Sequence, residues 1–427
     1  MLLHSAAAYD AQTAVNSLWL LVAAALVLIM TPGVAFFYGG MVRAKSVISM
    51  MMMSFGAMAI IGVLWVLYGY GLSFGPASIP HVLGTPDWGL MSLMGKDGVT
   101  PDLNGLAFAG FQATFAIITV ALISGAIADR AKFGAWMVFA AIWATVVYFP
   151  VAFWVFNLKD GWIATILHVN DFAGGTAVHI NAGAAGLALA LVLGKRVGFQ
   201  KGMAKPHNVP LTLLGAALLW FGWFGFNSGS EAAVDGVAGI AWINTLAAPA
   251  AATIGWLIVE KIKDGKPTSI GAASGAVAGL VAITPACNIL TPGFAILLGL
   301  LAGAVCAIAV DLKFKLGFDD SLDVVGIHLI GGLLGTLYIG VFGFTHVYDA
   351  AGNATAQYSS LFYGGSFQQL GVQAIGAFSV MIYSFVLAYA IGWVIQKTMG
   401  FRIKNEDELA GVDTVVHGEE GYALENA

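Results

Sequence analysis

GGTAVHINAGAAG (174–186) and DVVGIHLIGGLLG (323–335) each set one histidine, His179 or His328, inside a long apolar run. No charged residue lies within seven positions of His179, and the nearest charge to His328 is Asp323, five positions before it. Apolar runs of about 20 residues are long enough to cross the hydrocarbon core of a bilayer. No water is available there to solvate an imidazole, so an ionisable group at that depth faces a bundle interior or a pore. In a water-soluble protein each histidine would read as a satisfied core residue. Two of them, at matching places in two halves of a membrane protein, read as a functional pair.

Composition supports the membrane setting. The chain is 59% hydrophobic and 10% charged, against about 25% charged in a soluble domain. Eleven apolar stretches stand out, at about 16–38, 47–74, 104–128, 134–156, 172–193, 211–227, 238–260, 269–287, 291–312, 323–343 and 371–396. The expected fold is therefore an all-α polytopic bundle of eleven transmembrane helices in one domain, residues 1–397, with a polar tail at 398–427. The two cysteines, Cys287 and Cys306, fall inside spans, which argues against a disulfide framework or a cysteine-rich metal site. The start, MLLHSAAAYDAQTAVNS, lacks the basic stretch of a cleavable signal.

Lysine and arginine set the expected orientation. Sixteen of the eighteen lie in odd-numbered loops or the tail, from Arg43 and Lys45 through Arg130, Lys132, Lys195, Arg196 and Lys201 to Lys397, Arg402 and Lys404. Only Lys96 and Lys159 fall in even loops. This places the N-terminus outside and the C-terminus in the cytoplasm. The first ten spans divide five and five, about 16–193 and 211–343, and a repeat of odd span number must be inverted in the membrane. Such repeats place a substrate path near the midplane between the halves. His179 and His328 then occupy equivalent spans, five and ten. Asp171 precedes the first by eight residues and Asp323 the second by five, so the symmetry is expected to be approximate. Span eleven, about 371–396, lies outside the repeat as an outer helix. The many span glycines, as in GAASGAVAG (271–279), read as close helix packing.

Aromatic residues mark a possible route. In WFGWFGFNSGS (220–230), Trp223, Phe226 and Ser230 fall on one helical stripe, and Phe111 and Phe115 form another in span three. Interfacial anchoring is the plain reading. The alternatives are a cation held against ring faces, with a serine hydroxyl beside it, or a hydrophobic constriction. Asp171 reads as a helix N-cap or as an outer negative charge. Asp319, Asp320 and Asp323 pose the same choice at the other end of span ten. No nucleophile elbow, phosphate loop or HExxH occurs, so neither enzyme chemistry nor a cofactor is expected.

Taken together, PGVAFFYGG (32–40), FQATFA (111–116), DFAGGTAVHINAG (171–183), WFGFNSGS (223–230), GLVAITPA (279–286), DVVGIH (323–328) and GFRIKNEDELAGVDTVVHGE (400–419) resemble the ammonium transporter family (Amt/MEP/Rh) nearly end to end. The resemblance implies a homotrimer in the cell membrane with one pore per subunit. It implies an outer ammonium site at Phe111, Phe156 and Ser230, with Asp171 nearby. Below it come a gate of stacked Phe115 and Phe226, pore positions Trp223 and Thr284, and twin histidines at His179 and His328. Tyr38 sits where the family has an aromatic. Phe156 stands where the family has a tryptophan and offers a weaker ring face. The tail resembles a regulatory C-terminus that a PII-type signalling protein could engage; on composition alone it would read as disordered. The implied function is ammonium recruitment, deprotonation near the gate and ammonia passage along the histidines, with a separate proton relay. A passive ammonia channel uses the same residues, and an ammonium sensor is the reading from another class.

Overall fold

In the computed structural model, residues 10–422 are described apart from 96–97, 99, 201–204 and 345–358, so Lys96 and Lys201 lie outside the described residues. Ten helices among the described residues are long and apolar enough to cross a membrane: Ala11–Met41, Ala44–Phe74, Leu103–Ile127, Phe133–Phe156, Gly175–Leu193, Val209–Glu231, Gly236–Asp264, Pro292–Leu316, Val325–Phe342 and Gln368–Thr398. A shorter apolar helix, Ser269–Ile283, stands where the eighth span was expected. It ends in a compact turn at Thr284–Asn288 because Pro285 follows at once. Numbered in chain order with this helix as α8, these segments are α1 to α11. Their bounds lie within a few residues of the sequence expectation, the first helix running further in both directions.

Among the described residues, the strands are a small antiparallel pair, Ala77–Ile79 with Leu83–Gly84 (β1 and β2), beside an isolated bridge between Ala131 and Arg402. The pair follows α2, where Pro76 and Pro80 rule out a further helix.

Small residues allow backbones to touch. Gly299 and Gly303 of α9 face α7, and a Cβ on Gly303 would sit 2.0 Å from the Ala252 carbonyl oxygen. The same device operates where α5 crosses α10. A Cβ on Gly183 would lie 2.6 Å from Leu329, and one on Gly332 would lie 3.0 Å from the Gly175 carbonyl. Each of these glycines follows its helix's histidine by four residues, one turn along. Each histidine also sits in a locally widened stretch of helix, Gly175–Ile180 or Val325–Leu329. Widened turns of this kind recur at functional sites.

Most charges collect at one end of the bundle. Arg130, fully buried, donates to the carbonyls of Ala126 (3.0 Å), Ala128 (3.3 Å) and Asp319 (2.6 Å) and to Ser321 Oγ (2.5 Å). Arg196 grips Asp319 at 2.9 Å and Asp129 at 3.1 Å. Desolvation works against the Asp319 carboxylate, but the bonds and charge of Arg196 hold it below its ordinary pKa.

The tail is not the disordered segment its composition suggested. Helix α12, Asn405–Ala410, and the turn Asp413–His417 pack on this charged end. Asp413 accepts from the backbone N–H groups of Ile48 (3.0 Å) and Ser49 (2.7 Å), capping α2. Arg402 pairs with Glu408 at 2.9 Å, and Arg43 donates to the Glu408 carbonyl at 3.1 Å. Short-range periodicity cannot reveal the partners of Asp413 and Arg43, which lie hundreds of residues away.

Gly303→Ala is expected to destabilise the fold by about 1–3 kcal/mol, because the new methyl meets backbone that cannot yield. Gly293→Ala, which meets nothing within 4 Å, is expected to leave stability unchanged. Thermal unfolding in detergent measures both.

Candidate pore and its lining

Helices α1, α3, α5, α6, α8 and α10 enclose the candidate pore. Its waist is a cavity of about 10 Å³ lined by Tyr38, Leu122, Trp223, Phe226, His179 and His328, among others. That volume admits one water-sized molecule.

At one end of the waist, Phe115 and Phe226 stack with centroids 4.1 Å apart and planes at 18°. Phe111 meets Phe115 edge-on at 4.8 Å and Phe156 meets it at 6.2 Å. Trp223 is tilted against Phe226 at 5.4 Å, and its indole N–H donates to Thr284 Oγ1 at 2.8 Å. Ser230 lies past the end of this stripe in a tighter turn, and its hydroxyl donates to the Phe226 carbonyl at 2.8 Å. The structure therefore gathers Phe111, Phe115, Phe156 and Phe226 into one aromatic cluster. Trp154 points elsewhere, bonding the Val82 carbonyl at 2.8 Å and packing on Tyr383.

His179 stacks on Trp223 at 5.4 Å and 20°. Its Nδ1 lies 3.3 Å from Nδ1 of His328, with the two rings nearly parallel. Both side chains are buried, and His179 Nε2 has no protein partner. A hydrogen bond between two Nδ1 atoms uses one hydrogen, so one neutral ring is the donor and the other the acceptor. The remaining Nε2 atoms are then one acceptor and one donor. Tyr38 closes the far end of the waist and donates to the Leu122 carbonyl at 3.2 Å.

Asp171 does not line the waist. Its carboxylate accepts from the N–H groups of Gly174 (3.0 Å), Gly175 (2.5 Å), Thr176 (2.7 Å) and Ala177 (3.2 Å), and from the Thr176 hydroxyl. It thus caps the helix that carries His179.

Asp320 makes before His328 the kind of local contact that Asp171 makes before His179. Asp320 precedes His328 by eight residues, as Asp171 precedes His179. It is buried and accepts from Val325 N–H at 2.7 Å, five residues on, as Asp171 does from Thr176. Asp323 instead pairs with Lys313 at 2.5 Å. Sequence reading chose the charge nearest the histidine; the equal offset of eight was the available signal. Two further residues were not singled out for a site role, Arg130 and Gln373, because both act through distant backbone.

A wider cavity of about 360 Å³ lies at the charged end, lined by Arg43, Asp129, Arg196, Lys313, Asp323 and Glu408. Its cations face carboxylates in near-equal number. Among the described residues no cluster of three or more metal-ligating side chains occurs.

Comparison with known proteins gives one consistent picture. Residues 18–422 match the model of the Ammonium Transporter Family. An ammonium transporter from Mycobacterium tuberculosis is 52% identical over 430 residues, covering 95% of this chain and 90% of that protein. One from Bacillus subtilis is 44% identical over 411 residues, covering 95% and 98%. Among solved structures, Mep2 of Saccharomyces cerevisiae superposes with a TM-score of 0.80 at 33% identity, covering 91% of this chain and 90% of that one. A structure described as a sensor Amt protein superposes at 0.85 with 29% identity, covering 95% and 99%.

Burial raises Asp320 from the ordinary aspartate value to about 6, against the opposing pull of Lys313. A carboxyl raised by folding gives its stability below the unfolded value and loses it as pH rises through the folded one. The native protein should therefore lose stability between about pH 4 and pH 6 through this group. Asp320→Asn should lack that loss, so its melting temperature relative to native should climb across the window. A constant difference would refute the assignment.

Proposed function

Because the chain belongs to the ammonium transporter family, we propose that it recruits ammonium at an outer aromatic site, removes its proton near the phenylalanine pair, and passes ammonia along the histidines. It is a multi-pass membrane transporter and not an enzyme. The observation that carries the mechanism is the imidazole pair, Nδ1 to Nδ1 at 3.3 Å, in a waist with room for one small molecule.

The chemistry favours a nitrogen species over a metal cation. Ammonium is close to potassium in size. A potassium path replaces the hydration shell with oxygen ligands, and this waist offers apolar rings and two imidazoles. A neutral imidazole pair presents a hydrogen-bond acceptor and a donor, which serve ammonia as well as water. The stacked phenyl rings leave a hydrated cation no path, so loss of the proton there lowers the barrier.

In this reading Phe111, Phe156 and Ser230 form the outer site, Phe115 and Phe226 the gate, Trp223 and Thr284 the wall, and His179 and His328 the relay. Asp171 serves by holding the first histidine's helix and by its negative charge. Phe156 supplies a ring face without an indole N–H, so recruitment is weaker than a tryptophan there would give. The proton follows the histidines separately, which makes transport electrogenic. Eleven spans, an inverted five-plus-five repeat, an outside N-terminus, a plasma-membrane setting and a homotrimer belong to the same reading. The repeat is supported by the equal aspartate–histidine offset in both halves.

Currents on a supported membrane after an ammonium jump and a potassium jump test the mechanism. Native protein is expected to give an ammonium-only current, and His179→Ala to abolish it. Ammonia flux without current in the native protein would favour a passive channel, and equal currents for both ions would refute the reading.

The tail's contacts with Ile48, Ser49 and the Arg43 region support a regulatory surface for a PII-type partner at the cytoplasmic face. Removing residues 405–427 should abolish partner binding and inhibition. Undiminished inhibition would end that role.

A further inference from the structure

Gln373 is a fully buried amide in α11, the helix outside the repeat. Its Oε1 accepts from Asn170 N–H at 2.8 Å and from Gln369 Nε2 at 3.1 Å. Its Nε2 donates to the carbonyls of Asn170 at 2.9 Å and Thr336 at 3.1 Å. Two acceptor positions and two donor positions are thereby filled. Asn170 is matched on both its N–H and its C=O, as a neighbouring strand would match it.

Asn170 is the residue before Asp171, and Thr336 lies on the helix that carries His328. On the other side of Asp171, Phe172 N–H donates to the Pro285 carbonyl at 3.2 Å, and Asn170 Nδ2 donates to the same oxygen at 2.9 Å. The Asp171 peptide is therefore held from two directions, by α11 and by the turn after α8. Asp171 in turn fixes the start of α5 through four N–H groups. Eleven residues beyond Gln373, about three helical turns, Ser384 Oγ donates to the Asn181 carbonyl at 2.7 Å. Asn181 is two residues after His179. Helix α11 thus touches the His179 helix at its outer start and just past its histidine.

We infer that Gln373 is a positioning residue of the pore: it sets the height and rotation of the Asp171 loop relative to the His328 helix, and through that loop the placement of His179. The inference rests on the reading of this pore as the ammonium route. A simple outer strut would need only apolar contacts toward its neighbours. Burying a primary amide and filling its hydrogen-bonding positions is a costly way to attach one, and the partners lie on both histidine helices. Because an ångström of misplacement near a reacting group can cost far more than the lost bond itself, the effect belongs to transport and exceeds the effect on folding.

The test uses full-length protein in liposomes, with ammonium-jump currents normalised to folded, monodisperse protein. Gln373→Met, similar in length but without the amide, is expected to lower maximal current about ten-fold and to raise half-saturating ammonium. Gln373→Glu keeps the acceptor for Asn170 and one donor when protonated, and should show an intermediate loss of about three-fold. Native maximal current and half-saturation in both variants would overturn the inference, as would a loss confined to the yield of folded protein. Should the methionine variant fail to fold, native parameters in the glutamate variant alone overturn it. His179→Ala in the same series separates the two ideas. Undiminished current there sinks the pore reading itself, whereas a collapsed current beside a native Gln373→Met sinks only the role of Gln373.

Discussion

The backbone crossing of α5 and α10 at Gly183 and Gly332 is the constraint on which the pore depends. The two glycines let the helix backbones approach closely beside imidazoles that lie 3.3 Å apart. Each glycine sits one turn beyond its histidine, so the contact point and the chemical point share one face. Lipid supplies little hydrophobic drive between helices, and packing of small residues takes its place. A methyl on either glycine would part the helices and open the bond.

Around that crossing the polar groups fall into two sets with different duties. Asp171 and Asp320 face backbone N–H groups at the starts of the histidine helices and lie outside the narrow waist. Arg130, Arg196, Asp129 and Asp319 tie the chain just past α3 and α5 together and to the loop between α9 and α10. The waist itself is lined by aliphatic side chains and aromatic rings, with the Tyr38 hydroxyl and the two imidazoles. Separating supporting charge from the permeation path matters in a low-dielectric setting, where a stray carboxylate would bind a cation rather than release it.

The helical architecture was legible in the sequence, because long apolar runs and glycine content act locally along the chain. His179 and His328 were legible for the same reason: an imidazole amid apolar residues is visible without any partner. Phe115 and Phe226 came from helical stripes and from family likeness, though their 4.1 Å stacking is a tertiary fact. What stayed hidden depended on partners far along the chain. Asp413 caps the α-helical part of α2, which begins 366 residues earlier at Val47. Gln373 meets Asn170 across 203 residues. Among Asp319, Asp320 and Asp323, only the folded chain shows which one meets the Val325 N–H at the start of the His328 helix: Asp320. The short hairpin after α2 was missed because its two strands are too brief to show alternation.

The single hydrogen between the two Nδ1 atoms gives the histidine pair a memory. Suppose a proton arrives at the free Nε2 of the donor ring and the relay hands one on across the shared bond. The far ring then releases a hydrogen from its own Nε2, and the direction of the central bond has reversed. The entry ring now carries hydrogen on Nε2 and can accept no second proton from that side. Until both hydrogens return or the tautomers exchange, the pair is open to traffic from the opposite side only. In a pair that relays protons this way, each forward passage would have to be followed by a reset, and the rate of that reset would bound how often a charge could cross.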